Sequence, residues 1–161
     1  MKKEIKLYPG ISLINKKLGK DRIYHYLKTP LISIVVPIIK ERFLVISQKR
    51  IPINKTTFEF PGGIVDKGEA AAKSAAREMF EETGFKSLNK LTKLITVCPD
   101  PGRLNCKYTF FYTKKIIKTN KPEKGVKIHF LTKKKIIQLI KDNKFNHACH
   151  IAAFYIYLTK I

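Results

Sequence analysis

Three glutamates, Glu78, Glu81 and Glu82, fall within five consecutive residues of a chain that holds only 12 acids among 161 residues. Four of those twelve lie between Glu69 and Glu82. On a helix, Glu78 and Glu82 stack on one face, and Glu81 sits beside them three residues from Glu78. Carboxylates so close repel, at a cost of roughly 0.2–0.5 kcal/mol for each like-charge pair. A salt-bridge face would scatter lysine among them, yet only Arg77 stands next to this group. A hard divalent cation offsets such repulsion through oxygen ligands. Mg²⁺ typically takes one or two carboxylates and completes its shell with water and phosphate oxygens. Two such ions could clamp a pyrophosphate, activate a water and stabilise the leaving oxygen.

The residues around these acids keep a fixed spacing: Gly63-x5-Glu69-x7-Arg77-Glu78-Met79-x-Glu81-Glu82-x-Gly84-Phe85. Gly62 and Gly63 permit a backbone carbonyl to face a cation where a side chain would obstruct it. The planar fork of Arg77 suits the orientation of a neighbouring carboxylate. An ordinary acidic, solvated helix is the competing reading, and nine fixed positions at fixed spacing stand against it.

At these positions the sequence resembles the Nudix family, whose signature is complete here. The resemblance implies a mixed sheet between helices, with the signature forming a loop–helix–loop. It implies that Glu78 and Glu82 bind Mg²⁺ or Mn²⁺, that Glu81 binds metal or assists the base, and that the Gly62 carbonyl is a ligand. Gly63, Glu69 and Arg77 then support the loop. The implied reaction is attack of water on a phosphorus of a diphosphate joined to a nucleoside.

Residues outside the signature resemble the ADP-ribose pyrophosphatase branch of that family. Gln48-Lys49-Arg50 precedes Phe58-Glu59-Phe60-Pro61-Gly62-Gly63, similar to the branch's Gln-Tyr-Arg and Glu-Leu-Pro-Ala-Gly, with Lys49 in place of Tyr and Gly62 in place of Ala. The likeness implies that Arg50 contacts the diphosphate, with Glu59 beside the substrate. Pro101 lies sixteen residues past Phe85 in Pro99-Asp100-Pro101-Gly102, where the branch has a Ser-Pro-Gly turn. Pro101, Gly102 and the following Arg103 are therefore expected in a pocket wall. In the branch, the loop before a late strand supplies a Glu that acts as base or metal ligand. Glu123 is the only acid available there, which makes it a candidate catalytic residue beside Glu78, Glu81 and Glu82.

Elements must position these groups. Leu31 to Ile39 reads as a buried strand, Lys40-Glu41-Arg42 as a turn, and Phe43 to Ser47 as the returning strand. Ala70 to Thr83 reads as a helix with Ala72, Ala76, Met79 and Thr83 at helical spacing and Gly84 as its C-terminal cap. Leu94–Cys98, Tyr108–Thr113 and Val126–Leu131 have strand character. Lys133–Lys141 is an amphipathic helix, and Asn146 is expected to cap a last helix, His147–Lys160. His147-x-x-His150 reads as helix-end packing rather than a zinc site, since no further ligand is evident. This order implies an α/β fold of the α+β kind, an α/β/α sandwich around a mixed sheet. Residues 1–30 are expected to form a short strand region and 31–161 the hydrolase domain, within one globular unit. Two short strands are expected before Leu31, where Tyr8, Tyr24 or Tyr26 could stack a base.

The bulk numbers set outer limits. No apolar run is long enough to cross a bilayer, and the start lacks a signal-peptide pattern, so a cytoplasmic protein with no membrane partner is expected. Cys98, Cys106 and Cys149 have neither disulfide-framework nor zinc spacing. The net charge is +21. Lysines spread along the chain and an A/T-rich codon signature favour composition over a nucleic-acid surface, though either would draw in a small anion. The leading reading is hydrolysis of ADP-ribose or a related nucleoside diphosphate sugar, with a homodimer as a possible assembly. Its rivals are a Nudix enzyme acting on nucleoside triphosphates or RNA 5′-triphosphate ends, and a non-catalytic Nudix module that binds nucleotide or nucleic acid.

Overall fold

The computed structural model describes residues 2–161. Three strands open the chain: β1 (Lys2–Tyr8), β2 (Ile11–Leu18) and β3 (Arg22–Lys28). They form an antiparallel meander, one strand more than the sequence suggested. The apolar content of β1 is too sparse to bury either face, and all seven of its residues are exposed.

The central hairpin follows. β4 (Ile32–Ile39) and β5 (Arg42–Arg50) are joined at Lys40 and Glu41, whose φ values are 45° and 61°. That left-handed pair is the backbone a two-residue hairpin requires to match strand twist. After a 3-10 turn at Ile51–Ile53 come β6 (Lys55–Glu59) and β7 (Gly62–Ile64), which pair with β5 and β4. The helix α1 (Ala71–Thr83) leads to β8 (Phe85–Ser87), β9 (Thr92–Val97), β10 (Leu104–Asn105), β11 (Tyr108–Thr113), β12 (Ile116–Lys118) and β13 (Lys127–Leu131). The helices α2 (Lys133–Lys141) and α3 (Ala148–Lys160) end the fold.

The main sheet runs β13-β5-β4-β11-β9. β11 lies parallel to β4 while the other pairs are antiparallel, so the sheet is mixed. Both faces are covered, which explains the unbroken apolar run of β4. Ile34, Val36, Ile38, Phe43, Val45 and Phe110 face the side closed by α2 and α3. Val35, Leu44, Ile46 and Phe111 face α1 and pack with Ala75 and Met79. The α/β/α sandwich is thus as expected. Phe43 meets Phe154 edge-on at 5.3 Å and Phe60 meets Phe145 at 5.5 Å, pinning α3 and the α2–α3 connection to the sheet.

Some local expectations change. Met79 and Thr83 are buried, but Ala72 is exposed and Ala76 half-buried, and α1 buries Ser74, Ala75 and Glu82 besides. Glu82 turns inward to accept the Gly62 N–H. Asn146 does not cap α3: the chain is still extended at His147, which takes the cap position without a side-chain hydrogen bond. Residues 55–59 form a full strand, and β8 pairs with β12 in a small separate sheet that the sequence did not reveal. Among the described residues, no helix is long and apolar enough to cross a membrane.

Candidate active site

Arg77 organises the acidic end of the site. Its guanidinium donates to Glu69 from Nε at 3.3 Å and from Nη2 at 3.1 Å. Nη2 also donates to the Ile64 carbonyl at 3.0 Å, tying the loop after β7 to α1. Nη1 donates to Glu78 at 2.9 Å and to Glu81 at 3.0 Å. The charge that the crowded carboxylates need is therefore supplied by one side chain, whose pKa they raise above the ordinary arginine value. Arg77 in turn lowers the pKa of Glu69, through its hydrogen bonds.

Glu82 is the buried member of the group, 8% exposed. It accepts from the Gly62 N–H at 2.9 Å and weakly from Gln48 Nε2 at 3.4 Å. Burial pushes its carboxyl up to about 7, against the pull of the Gly62 N–H. Burial raises Glu78 as well, against the pull of Arg77. Two poorly solvated carboxylates side by side on one helix are a donor set that favours a hard cation over a bare anion.

The glycines have distinct reasons. A Cβ on Gly63 would overlap the Glu78 carboxyl group, so the missing side chain is the space that carboxylate occupies. A Cβ on Gly62 would meet the Ser33 carbonyl and, at 2.9 Å, Ile34 Cα, so Gly62 lets β7 close against β4. At Gly84 the left-handed φ of 73° ends α1, and a Cβ would strike the Asn120 carbonyl. Among the described residues, no three His, Cys, Asp or Glu side chains are arranged to hold an ion. Glu78 and Glu81 are turned to Arg77 while Glu82 is turned to Gly62. The residues fit a divalent cation in type and in their neighbourhood on α1, and binding one would turn Glu78 and Glu81 partly away from Arg77.

Gly62 and Gly63 also line a cavity of 590 Å³ that holds Arg50, Glu59, Tyr108, His147 and His150. Arg50 grips Glu59 with two hydrogen bonds, Nε at 2.8 Å and Nη2 at 2.5 Å. Thr57 donates a further bond to the same carboxylate, and His150 Nε2 lies 3.6 Å from it. Burial acts to raise the pKa of Glu59, but Arg50, His150 and Thr57 outweigh it and hold the group at about 2. Its carboxylate is nearly sealed, with both oxygens occupied by Arg50 and one also by Thr57. His150 accepts the Phe60 N–H at Nδ1, 3.0 Å away, and burial pushes its pKa down to about 3. This is the helix-end packing expected of it. Its neighbour His147 lines the cavity, and the His-x-x-His spacing was the signal that could have placed both rings at one wall.

Pro101 and Gly102 lie elsewhere. Asp100 accepts the N–H groups of Gly102 at 3.0 Å and Arg103 at 3.1 Å, closing the turn. Tyr24 donates to the Gly102 carbonyl, and Arg103 lies over the Tyr24 ring at 5.7 Å. The turn thereby docks on β3 and borders a second cavity of 470 Å³ with Tyr24, Tyr26, Lys16 and Asn105. The two cavities share no lining residue. The candidate substrate residues therefore divide into two groups, with Arg50 and Glu59 beside the signature and Pro101, Gly102 and Arg103 on the N-terminal sheet. Glu123 is exposed on the loop whose Asn120 abuts Gly84, and none of the side-chain hydrogen bonds or ion pairs among the described residues ties it to Glu78, Glu81 or Glu82.

Residues 29–154 match the NUDIX domain family. An ADP-ribose pyrophosphatase of Bacillus subtilis (strain 168) is 35% identical over 102 residues, which cover 62% of this chain and 53% of that protein. The ADP-sugar pyrophosphatase of Mus musculus is 35% identical over 77 residues, covering 45% of this chain and 35% of that protein. The chain thus spans about half the length of the first of these relatives and about a third of the second. In shape it is similar to a solved structure titled as an ADP compounds hydrolase, with a TM-score of 0.83 at 19% identity over 99% of this chain and 90% of that one. With the family match extending over most of its length, the chain belongs to the Nudix family.

Proposed function

We propose that the protein hydrolyses the diphosphate bond of a nucleoside diphosphate derivative, ADP-ribose or a related nucleoside diphosphate sugar, to a nucleoside monophosphate and a sugar phosphate. The observation that carries this reading is one cavity lined by Arg50 together with Gly62 and Gly63, the two glycines that meet the α1 carboxylates, Gly62 through its N–H to Glu82 and Gly63 through its close approach to Glu78. The relatives named ADP-ribose and ADP-sugar pyrophosphatase support the choice of substrate.

Glu78, Glu82, Glu81 and the Gly62 carbonyl are the groups that would hold Mg²⁺ or Mn²⁺. A divalent cation there supplies positive charge to the diphosphate oxygens and makes a nearby water more acidic. Arg50, held rigid by Glu59, neutralises diphosphate charge with its outward edge. Water attacks one phosphorus, the bond from that phosphorus to the bridging oxygen breaks, and a carboxylate takes the water's proton. Glu81 and Glu123 are the candidates for that last role. Apolar Ile32, Ile34 and Ile64 line the cavity alongside these polar groups, as a site for the nucleoside or sugar requires.

The test is chromatography of products after incubation with ADP-ribose and Mg²⁺ or Mn²⁺. AMP and ribose 5-phosphate from the wild type, and none from Glu82→Gln, are expected. Absence of both products with either metal overturns the substrate. Release of phosphate or pyrophosphate from nucleoside triphosphates or 5′-triphosphate RNA would then support the rival reading.

A further inference from the structure

His147 lines the cavity wall, and its Nδ1 is left unpaired. Its Nδ1 is the sole buried side-chain nitrogen or oxygen among the described residues without a hydrogen-bond partner. Buried polar atoms are nearly always paired, so an orphan asks for a cause. Packing alone does not supply one. The adjacent His150 ring, 4.4 Å away and edge-on, has its Nδ1 satisfied by Phe60 and its Nε2 near Glu59. Only His147 is left open, and it is the ring of the two that lies 6.4 Å from Tyr108.

Burial keeps the His147 ring neutral by lowering its pKa. A neutral imidazole has one N–H and one bare lone pair. An orphaned acceptor is better tolerated than an orphaned N–H, which favours the tautomer with the proton on Nε2 and the lone pair on Nδ1. A lone pair cannot bind phosphate oxygens, which are themselves acceptors. It takes a donor, and in a nucleoside diphosphate sugar the donors nearest the diphosphate are sugar hydroxyls. Arg50, on the same cavity, is the group that marks where the diphosphate lies.

Resting on the proposed function, we propose that His147 is a substrate-orienting residue that accepts a hydrogen bond at Nδ1 from a sugar hydroxyl next to the diphosphate. Nδ1 is buried in the free protein, so the proposed contact includes a turn of the His147 ring that brings the atom to the cavity. The unfilled lone pair then rewards a ligand that has a hydroxyl at this place and gives nothing to one that lacks it.

Nitrogen-15 spectroscopy of histidine-labelled protein tests this directly, with the His147 resonances identified by their loss in His147→Asn. Ribose 5-phosphate or AMP is expected to move the Nδ1 signal toward the hydrogen-bonded range, whereas inorganic pyrophosphate, which has no sugar hydroxyl, leaves it in place. In kinetics, His147→Ala should raise KM for ADP-ribose about tenfold, the value of one lost hydrogen bond, with kcat nearly unchanged. His147→Asn, which keeps an acceptor, should recover part of the loss. An Nδ1 signal unmoved by either sugar phosphate, or moved equally by pyrophosphate, overturns the assignment. So does a signal already hydrogen-bonded in the free protein, which would mean a bound water only. If the wild type fails to cleave ADP-ribose, the proposed substrate falls, while the sugar-phosphate titrations still judge His147 by themselves.

Discussion

Gly63 and Glu78 share one volume: an ideal Cβ on Gly63 would lie 2.6 Å from either carboxylate oxygen of Glu78. The next glycine toward the N-terminus touches backbone instead, the Ser33 carbonyl and Ile34 Cα. The two neighbours therefore fail in different ways. Gly63→Ala should displace a flexible carboxylate and leave the sheet intact, lowering turnover steeply with a small change in Tm. Gly62→Ala should part β7 from β4 and cost about 1–3 kcal/mol of stability, as overpacking does. Denaturant unfolding and initial rates on both variants check this. Equal stability loss in the two would contradict the assignment of Gly63 to the Glu78 cradle.

Arg77 joins the loop to the acids, since the same guanidinium holds Glu69, the Ile64 carbonyl, Glu78 and Glu81. Residues that orient metal ligands typically change metal affinity by about 10–100-fold when removed. Arg77→Ala should therefore raise the Mg²⁺ concentration for half-maximal activity by about that factor, and excess metal should restore part of the rate. Arg77→Lys should restore little, because an ammonium cannot form the planar fork that serves Glu69 and Ile64 together. A metal titration of activity decides. An unchanged requirement in Arg77→Ala would remove Arg77 from the metal site's support.

How legible this was in the sequence depended on whether function left a local trace. The acids of α1 repel one another at fixed spacing, and that frustration is visible without a fold. An unbroken apolar run gave β4 almost to the residue because both faces of the sheet are covered, and helical spacing gave α1 and α2 as closely. β6 was hidden, since Lys55-Thr56-Thr57 has no apolar alternation and its pairing with β5 is decided by tertiary context. The separation of Arg50 from Pro101 into two cavities was also invisible, because β10 joins the N-terminal sheet through backbone hydrogen bonds that no side-chain pattern encodes. The role of Glu59 needed its burial: in sequence it is one more acid near a glycine turn.

As a proposed metal ligand, Glu82 would connect metal binding to pH. Burial raises its carboxyl from 4.5 to about 7. A cation binds the ionised form, so below about pH 7 it must displace a proton. Mg²⁺ affinity should rise with pH up to about 7 and then level off with respect to this group. Calorimetry at pH 6 in buffers of different ionisation heat should show proton release, and Glu82→Gln should abolish that release and lower turnover by orders of magnitude with the fold retained. The stability sign is the reverse. A carboxyl with a raised pKa adds stability to the metal-free protein that is fully present below about pH 4.5 and lost as pH rises through about 7. Metal binding at pH 6 without proton release would show that Glu82 is not a ligand.

The pair Arg50 and Glu59 should respond asymmetrically to mutation. The Glu59 side chain is 1% exposed and that of Arg50 is 42% exposed. Removing Arg50 strands a buried carboxylate, and Arg50→Ala should cost about 3–5 kcal/mol. Glu59→Gln leaves Arg50 free to turn to water and should cost less, about 1–3 kcal/mol, and on the proposed role of Arg50 at the diphosphate it should also raise KM. The same cluster sets the acid limb of stability. His150, depressed to about 3 from 6.5, stays neutral in the fold while the unfolded chain takes up a proton, so its contribution is lost as pH falls from about 6.5 toward 3. Glu59, held at about 2 against an ordinary 4.5, adds stability present above 4.5 and lost as pH falls toward 2. Thermal unfolding of the wild type should therefore decline on both steps, and Glu59→Gln should lack the second. A wild-type acid limb that Glu59→Gln leaves unaltered would place the acid-sensitive groups outside this cluster.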